Sequence, residues 1–365
     1  MLVPRRRCPL ASVCFCAIAL ASSSLAVIGQ SGSSPDERRA NELLSQAMNL
    51  ASEGQFGQAD ILLEQARTAA PHNTQVLTAL AKVKGRVGEL PASIALFREV
   101  ASAAPRSTEA HLNLAMALAD SKDLNGALEE ASRAVELSPK LASAHLNRAR
   151  ILADMHRAGD ARVEFATASR LTPNDADCYF YWALVEREND NYAKESSLLQ
   201  TVVRLQPENE KALNLLGQSL MNESKEAEAI AAWRRVLKLN PNSSEATYSL
   251  SLALRTTNDQ ESKRLMARFH ELQQRDKQLR QVNTLGNQAY EAMNNRQWPE
   301  AITLLRQALE QCGNCELLAT IHKDLGLSLC QNGDLKQGET ELRIAQHLNP
   351  ADPDILKALA AIPRQ

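Results

Sequence analysis

Two consecutive stretches of the sequence decide the fold. Residues 108–141 read TEAHLNLAMALADSKDLNGALEEASRAVELSPKL, and residues 142–175 read ASAHLNRARILADMHRAGDARVEFATASRLTPND. Both are 34 residues long, and both carry a proline at their thirty-second residue. The same step of 34 residues separates six successive prolines, namely Pro71, Pro105, Pro139, Pro173, Pro207 and Pro241. A fixed period of this length indicates a repeat protein.

The residue types inside each repeat predict a pair of antiparallel helices. With proline at position 32, the repeats begin at Ala40, Thr74, Thr108, Ala142, Ala176 and Glu210. Position 8 is always Ala or Gly, position 27 is Ala or Val, and position 20 is Ala or Ser except for Glu195. Position 24 is bulky except for Ala131. Small residues let two helix backbones approach closely, and bulky residues fill the space between neighbouring pairs. Turn residues at position 15, such as Gly54 and Gly88, separate the two helices.

These positions resemble the tetratricopeptide repeat family. The matched features are the small residue at position 8, Ala at 20, the bulky residue at 24, Ala at 27 and Pro at 32, over six consecutive copies. The resemblance covers roughly residues 38–362. It implies an all-α fold, a right-handed α-solenoid (superhelix) of about nine helix-turn-helix repeats with a C-terminal capping helix. Each repeat then buries its core only against its neighbours.

Three further copies follow with less fidelity. A seventh begins at Ser244, with Lys263 at position 20, His270 at 27 and Arg275 in place of the proline. Because no proline stands between Asp259 and Gln297, residues 259–281 are predicted to run as a divergent, elongated helix after a first block at 38–258. Repeats eight and nine start near Val282 and Ala319, with three residues inserted between them, and span 282–350. Residues 351–365 are predicted as a capping helix and tail.

The N-terminal segment is predicted to be a signal peptide. Arg5–Arg7 precede an uncharged apolar run from Leu10 to Ala21, and small residues follow at Ser24–Ala26. This layout is typical of a secretory signal that is cleaved, here after about residue 26. The alternative is a membrane anchor that is not removed. Residues 27–37 are Ser/Gly/Pro-rich and are predicted to be a flexible lead-in. The protein is therefore expected to be exported, to a periplasm or outside the cell.

Composition limits the classes of partner. Basic residues number 41 and acidic residues 43, so the net charge is −2. A balanced chain lacks the basic surface that general nucleic-acid binding requires. We expect a protein or peptide ligand, no nucleic acid, no evident small-molecule substrate, and a membrane only if the N-terminal segment stays uncleaved.

The resemblance also implies where a ligand lies. In the family, positions 2, 5, 6, 9 and 12 of the first helix face the concave side, where a peptide or a partner helix is held. Carried over residue by residue, these positions give a candidate partner-binding set. It consists of Lys82, Asn113, Asn147, Arg150, Phe180, Arg187, Lys211 and Gln218.

Two features of this set have alternative interpretations. Asn113 and Asn147 resemble the asparagine ladder of O-linked N-acetylglucosamine transferases, whose amides grip a peptide main chain, but they are also ordinary polar residues of a solvated face. Phe180 is the expected binding anchor, because aromatic residues are enriched among binding hot spots. Alternatively, Phe180 packs inside the superhelix beside Tyr179 and Trp182.

No catalytic constellation is evident in the sequence. It contains no glycine-rich phosphate loop, no His-Glu-x-x-His and no Gly-x-Ser-x-Gly. His111 and His145 both occupy position 4, so their recurrence follows from the repeat and not from a paired metal site. We therefore expect no enzymatic activity and no cofactor.

Cysteines leave one further possibility open. Cys312 and Cys315 lie in the inserted turn between repeats eight and nine. In an exported protein this spacing favours a structural disulfide. Free thiols, a redox pair or a metal site completed by His322 and Cys330 are the alternatives.

Three functions fit these observations. The first is an exported, non-enzymatic scaffold that binds a protein or peptide in its concave groove. The second is a non-catalytic subunit of an envelope enzyme or assembly complex. The third is a thiol redox protein that uses Cys312 and Cys315.

Overall fold

The computed structural model describes residues 34–362, and in this range the chain is helical, with no strand. This confirms the all-α class and the helix-turn-helix repeats. The helices are α1 Pro35–Ser52, α2 Phe56–Ala69, α3 Thr74–Arg86, α4 Leu90–Ala103, α5 Thr108–Asp120, α6 Leu124–Leu137, α7 Ala142–Asp154, α8 Ala158–Leu171, α9 Ala176–Glu188, α10 Tyr192–Leu205, α11 Glu210–Asn222, α12 Glu226–Leu239, α13 Ser244–Ala253, α14 Asp259–Asn294, α15 Trp298–Cys312, α16 Leu318–Gln331, α17 Leu335–Leu348 and α18 Pro353–Ala361.

The chain divides into two compact units, Met1–Ala212 and Leu213–Gln365. In the first unit, each odd-numbered helix contacts the even-numbered helix that follows it, and first helices of successive repeats also touch, as α5 does α7 and α7 does α9. In the second unit, each helix from α12 to α17 contacts the next one. Both units are therefore built from sequential pairs, as the repeat pattern predicts.

Helix ends recur at fixed repeat positions. The second helix ends two residues before the proline, and the residue at position 34 caps the next first helix. Asn73, Ser107, Asp175 and Ser243 all accept a hydrogen bond from a backbone N–H of the first turn. Leu141 holds the same position before α7 and has no side-chain group to do so.

The turn at position 15 is left-handed in eight of the nine repeats. The residues with positive φ are Gly54, Gly88, Lys122, His156, Asp190, Ser224, Arg296 and Gly333. A backbone with positive φ ends one helix and turns the chain back for the next. The turn therefore belongs to the repeat backbone, whatever residue occupies it.

Small residues meet between the two helices of a repeat. The side chains at positions 8 and 20 are fully buried in repeat 1, as Ala47 and Ala59. In repeat 2 the Ser93 hydroxyl donates to the carbonyl of Ala81 at 2.7 Å. Such a short contact requires that neither position carry a large side chain.

In repeat 7 the structure differs from the alignment predicted from the sequence by one residue. Its first helix, α13, is short, and no left-handed residue follows it. The Ser262 hydroxyl donates to the carbonyl of Ser251 at 2.7 Å, so Ser262 and not Lys263 takes the place of position 20. Both Lys263 and His270 are exposed. The one-residue deletion was hidden because this repeat lacks the proline that marks the register.

The elongated helix continues beyond the predicted boundary at residue 281. α14 has 36 residues and joins the second helix of repeat 7 to the first helix of repeat 8. Ala289 on α14 and Ala301 and Leu305 on α15 are buried at the expected positions of repeat 8. The last helix, α18, is capped by the Asp352 side chain and buries Ile355, so it occupies the place predicted for the capping helix.

Two predictions concern the chain before α1. The signal peptide at residues 1–26 lies outside the described residues, as does the tail at 363–365. α1 begins at Pro35, inside the stretch predicted as a lead-in at 27–37. Ser34 and Glu37 form a capping box, a helix-start signal that the Ser/Gly/Pro composition concealed. Among residues 34–362, no helix is both long and apolar enough to cross a membrane.

Candidate functional site

Three predicted residues are linked by ring contacts on the first helices of unit 1. The Arg150 guanidinium on α7 lies over the Tyr181 ring on α9, 4.4 Å from its centre. Phe180 and Tyr181 meet edge to face at 6.0 Å, and the Lys211 ammonium lies 5.4 Å from the centre of the Phe180 ring. Arg150, Phe180 and Tyr181 are partly exposed, and Lys211 is exposed. We call these four residues the cation–aromatic row.

Sequence reasoning missed Tyr181. The candidate partner-binding set did not include it. Arg150 stands at position 9 of repeat 4, and Tyr181 at position 6 of repeat 5. In this fold, these two positions meet across neighbouring first helices. A cation and an aromatic residue spaced 31 residues apart were therefore the available signal.

Phe180 does not pack in the way that the core alternative expected. Trp182 stacks on Phe165, with ring centres 6.3 Å apart and planes within 9° of parallel. Phe165 is fully buried, whereas Phe180 contacts Tyr181 and Lys211 and stays partly exposed. Trp182 thus packs on the core residue Phe165, whereas Phe180 contacts Tyr181 and Lys211 at the surface.

The other predicted residues are less closely associated. Lys82 lies 3.9 Å from Glu109, and both side chains are mostly exposed, so this ion pair adds little stability. The Asn147 amide donates to the carbonyl of Ser143 on its own helix at 2.8 Å. Asn113 is partly buried. An asparagine ladder would require Asn147 to give up that bond.

Arg187 and Gln218 have partners inside the protein. Arg187 Nη1 lies 3.3 Å from Oε1 of Glu195, a carboxylate that is 1% exposed. A buried carboxylate is costly unless a cation accompanies it, so Arg187 compensates the charge that occupies position 20 of repeat 5. Gln218 lies in the second unit, where its amide donates to Glu245 at 2.7 Å. The structure therefore does not unite the whole predicted set.

The buried Glu186 carboxylate anchors α9, the helix that carries two residues of the cation–aromatic row. Arg162 donates to both oxygens of Glu186, at 2.8 and 2.9 Å, and Trp182 and Asn191 donate to it as well. Burial alone would raise the pKa of the Glu186 carboxyl, but these hydrogen bonds together hold that pKa below its ordinary value. The network joins α8 to α9 and fixes the helix that carries Phe180 and Tyr181.

The recurring histidines tie repeats together. His111 Nδ1 lies 2.6 Å from Glu130, and His145 Nδ1 lies 2.7 Å from Glu164. The other ring nitrogen of each faces the carbonyl of the proline that ends the preceding repeat, at 3.1 and 3.0 Å. His322 contacts Glu341 in the same manner. Across residues 34–362, no group of three or more His, Cys, Asp or Glu is placed to hold a metal ion.

The four cysteines within residues 34–362 separate into a disulfide and two thiols. Cys312 and Cys315 are joined in the turn after α15. Burial raises the pKa of Cys178 to about 12, and its thiol contacts the carbonyl of Phe165. Burial, then Asp334 and Glu339, raise the pKa of Cys330. Neither thiol has the lowered pKa that a reactive cysteine requires.

Sequence comparisons support the tetratricopeptide repeat. Residues 78–142 and 214–262 match the model of that repeat family. A peroxisomal targeting signal receptor of Candida glabrata is 32% identical over 79 residues. That match covers 22% of this chain and only 13% of the receptor.

Solved structures share the fold at low sequence identity. Pseudomonas aeruginosa PilF is 17% identical and matches with a TM-score of 0.50 over 58% of this chain and 97% of its own. A tetratricopeptide repeat protein of Parabacteroides merdae is 14% identical, with a TM-score of 0.49 over 80% of this chain and 99% of its own. At these identities the likeness concerns the fold alone.

Proposed function

We propose that this protein is an exported, non-enzymatic scaffold that binds a protein or peptide on the first-helix face of the first unit, between residues 74 and 212. The cation–aromatic row carries the proposal. Its rings and cations lie on consecutive first helices, partly open to solvent, while the adjacent Trp182 is packed against Phe165. Amphipathic rings placed at a surface are the typical anchors of protein interfaces.

The row favours a particular kind of peptide segment. Phe180 and Tyr181 offer apolar area to a side chain of the ligand. Arg150 and Lys211 place positive charge beside the rings, and this charge attracts a carboxylate. A segment with an acidic residue next to a large apolar one therefore fits the row. The matched relative, over its 79 aligned residues, comes from a protein named as a receptor for a targeting signal, and this supports peptide recognition.

The test begins with the partner. The protein without residues 1–26 is used to capture partners from a cell envelope extract of the source organism. The affinity of each protein variant for the purified partner is then measured. Phe180→Ala should weaken binding by about 2 kcal/mol, roughly thirtyfold, while the melting curve stays nearly unchanged. Tyr290→Ala is the matched control, because Tyr290 is an exposed aromatic residue of the second unit.

Two results would contradict this placement of the site. One is early melting of Phe180→Ala, since a core Phe costs about 3–5 kcal/mol of stability when it is truncated to Ala. The other is unchanged partner affinity in the double variant Arg150→Ala, Lys211→Ala. Arg187 is left out of this variant because its loss would strand the buried Glu195 carboxylate.

Export is tested separately from binding. The proposed cleavage after about residue 26 predicts a mature N-terminus near Val27, measurable by mass spectrometry of the protein from a cell envelope fraction. A chain that keeps residues 1–26 and sediments with membranes would instead support the anchor. The second candidate role, a subunit of a larger complex, would appear as stoichiometric co-purification with an enzyme.

A further inference from the structure

In the complete repeats, the bulky residue at position 24 is covered by the first helix of the next repeat. Phe165 at this position is fully buried, stacks on Trp182, and accepts the Cys178 thiol contact at its carbonyl. Trp182 and Cys178 are positions 7 and 3 of repeat 5. In repeats 1 to 6 the side chains at positions 24 and 27 are at most 5% exposed.

Repeat 7 leaves these two positions open. With Ser262 opposite Ser251, positions 24 and 27 are taken by Met266 and Phe269, and both are partly exposed. The Phe269 ring lies 4.8 Å from that of Tyr248, which is itself 41% exposed. We call Met266, Phe269 and the adjacent Lys263 the end surface of repeat 7.

The following repeat of the same chain is not built to cover this surface. α14 continues as one helix at the place where the other repeats turn back, so repeat 8 cannot fold over the end surface of repeat 7. The first helix of repeat 8 also carries exposed polar residues at positions 3, 7 and 10, namely Thr284, Gln288 and Glu291. Repeat 1, which starts the first stack, has Glu42, Gln46 and Asn49 there, also exposed. The first helix of repeat 8 is thus polar and exposed at the positions that would pack against a preceding repeat, as it is in repeat 1.

Charge indicates what kind of helix the end surface accepts. At two junctions between repeats, position 21 of one repeat and position 11 of the next form an ion pair. Arg162 pairs with Glu186 at 2.8 Å, and Asp60 pairs with Lys84 at 3.0 Å. Lys263 stands at position 21 of repeat 7, where it pairs with the exposed Asp259 on its own helix, 2.6 Å away. A neighbouring helix with a carboxylate at position 11 would complete the pair.

We infer that the end surface of repeat 7 binds an amphipathic helix of a partner protein in place of the missing next repeat. That helix carries apolar residues at i, i+4 and i+7, which cover Met266 and Phe269, and a carboxylate at i+8, which pairs with Lys263. The same pattern exists in α9 as Cys178, Trp182, Val185 and Glu186. The inference concerns a different surface from the cation–aromatic row and does not depend on it.

The test uses a peptide whose sequence is known. A labelled peptide of residues 174–191 with Cys178→Ala is titrated with the full chain, and binding is followed by fluorescence anisotropy. Phe269→Asp should raise the Kd at least tenfold, and so should Lys263→Glu, since this substitution repels the peptide carboxylate. Val163→Asp is the matched control, because Val163 is an equally apolar residue, 63% exposed, on another second helix.

A charge exchange makes the test decisive even if Phe269→Asp folds poorly. Lys263 is fully on the surface, so Lys263→Glu should fold normally. A peptide carrying Glu186→Lys should bind Lys263→Glu better than it binds the unmodified chain.

Three results would overturn the inference. The first is peptide binding that neither Phe269→Asp nor Lys263→Glu weakens, and the second is no saturable binding at all. The third is a concentration-dependent dimer in sedimentation that Phe269→Asp abolishes, since the occupant would then be a second copy of this chain.

Discussion

At the residue scale, size complementarity between positions 8 and 24 determines how each helix pair closes. Repeats with Ala at position 8 carry Leu or Phe at position 24, as with Ala47 and Leu63, except repeat 3, where Ala115 occurs with Ala131. In repeat 6 the larger Trp233 occurs with Gly217, and a Cβ on that glycine would lie 2.6 Å from the indole ring. The glycine therefore provides room for the tryptophan.

Adding one methyl group at Gly217 should accordingly destabilise the protein. Gly217→Ala is expected to cost about 1–3 kcal/mol, because overpacking forces the indole or the helix to shift. The free energy of unfolding from urea titration measures it. Adding Trp233→Leu should restore much of the loss. Gly286→Ala is the control, since it lies in the same unit with open space around its Cβ. If both alanines behave alike, the close fit is not the cause.

A second residue-scale prediction concerns Glu186 and pH. Because the folded state lowers the pKa of this carboxyl, its stabilising contribution is complete above the unfolded value of about 4.3 and is lost as pH falls through the lower folded value. Glu186→Gln should be less stable than the unmodified chain by about 1–3 kcal/mol at pH 7. The difference should shrink in urea titrations at about pH 3. An equal difference at both pH values would show that ionisation is not responsible.

At the element scale, helix caps show what the sequence could and could not reveal. The prolines located the end of each second helix and the start of the next first helix in repeats 1 to 6, because the backbone ends of helices are determined locally. Repeat 7 has no such marker, so the loss of one turn residue was not visible in the sequence. The alignment therefore assigned Lys263 to a core position. The Arg187–Glu195 pair was also missed, although a glutamate at a position otherwise held by Ala or Ser signals a buried partner. Long-range pairs of this kind depend on side-chain directions that a linear pattern does not contain.

Leu141 is an unused cap and offers a stabilising substitution. Its backbone angles, φ −89° and ψ 108°, nearly equal those of the capping Ser107, and its side chain is 40% exposed. Leu141→Asp should therefore supply the missing hydrogen bond and stabilise the protein by about 1 kcal/mol. Thermal unfolding measures the gain. Ser107→Ala should shift stability by a similar amount in the opposite direction. No gain in Leu141→Asp would mean that the apolar contacts of Leu141 matter more than its exposure indicates.

At the scale of the whole molecule, nearest-neighbour packing distributes stability unevenly. A solenoid repeat is stabilised chiefly by the repeats on either side of it. The end surface of repeat 7 lacks a neighbour, and residues 273–281 of α14 are exposed apart from Leu279. This stretch is held mainly by the helix hydrogen bonds, so it should open more readily than the packed repeats.

Limited proteolysis should therefore begin in α14. Trypsin is expected to cut first at Arg275, Lys277 or Arg280, within the range 255–281, and to release fragments identifiable by mass. Lys140 provides the comparison inside the same chain. It is also exposed and lies in a turn, but between two stacked repeats. Earlier cleavage at Lys140, beside Pro139, would show that the packed stack and not α14 is the weaker part.

The exposed middle of α14 has a consequence for how such a chain can change in length. Elsewhere in a repeat, one inserted residue would separate a small side chain from its partner on the facing helix. Between Leu272 and Val282, almost no side chain of the helix packs against another helix, so an inserted residue would disrupt few contacts. Each residue added there would turn repeats 8 and 9 by about 100° about the helix axis and move them about 1.5 Å away from repeat 7. Simple insertion or deletion in this stretch would thus change the azimuth of the C-terminal repeats in large steps, while the hydrophobic contacts within repeats 7, 8 and 9 stay as they are.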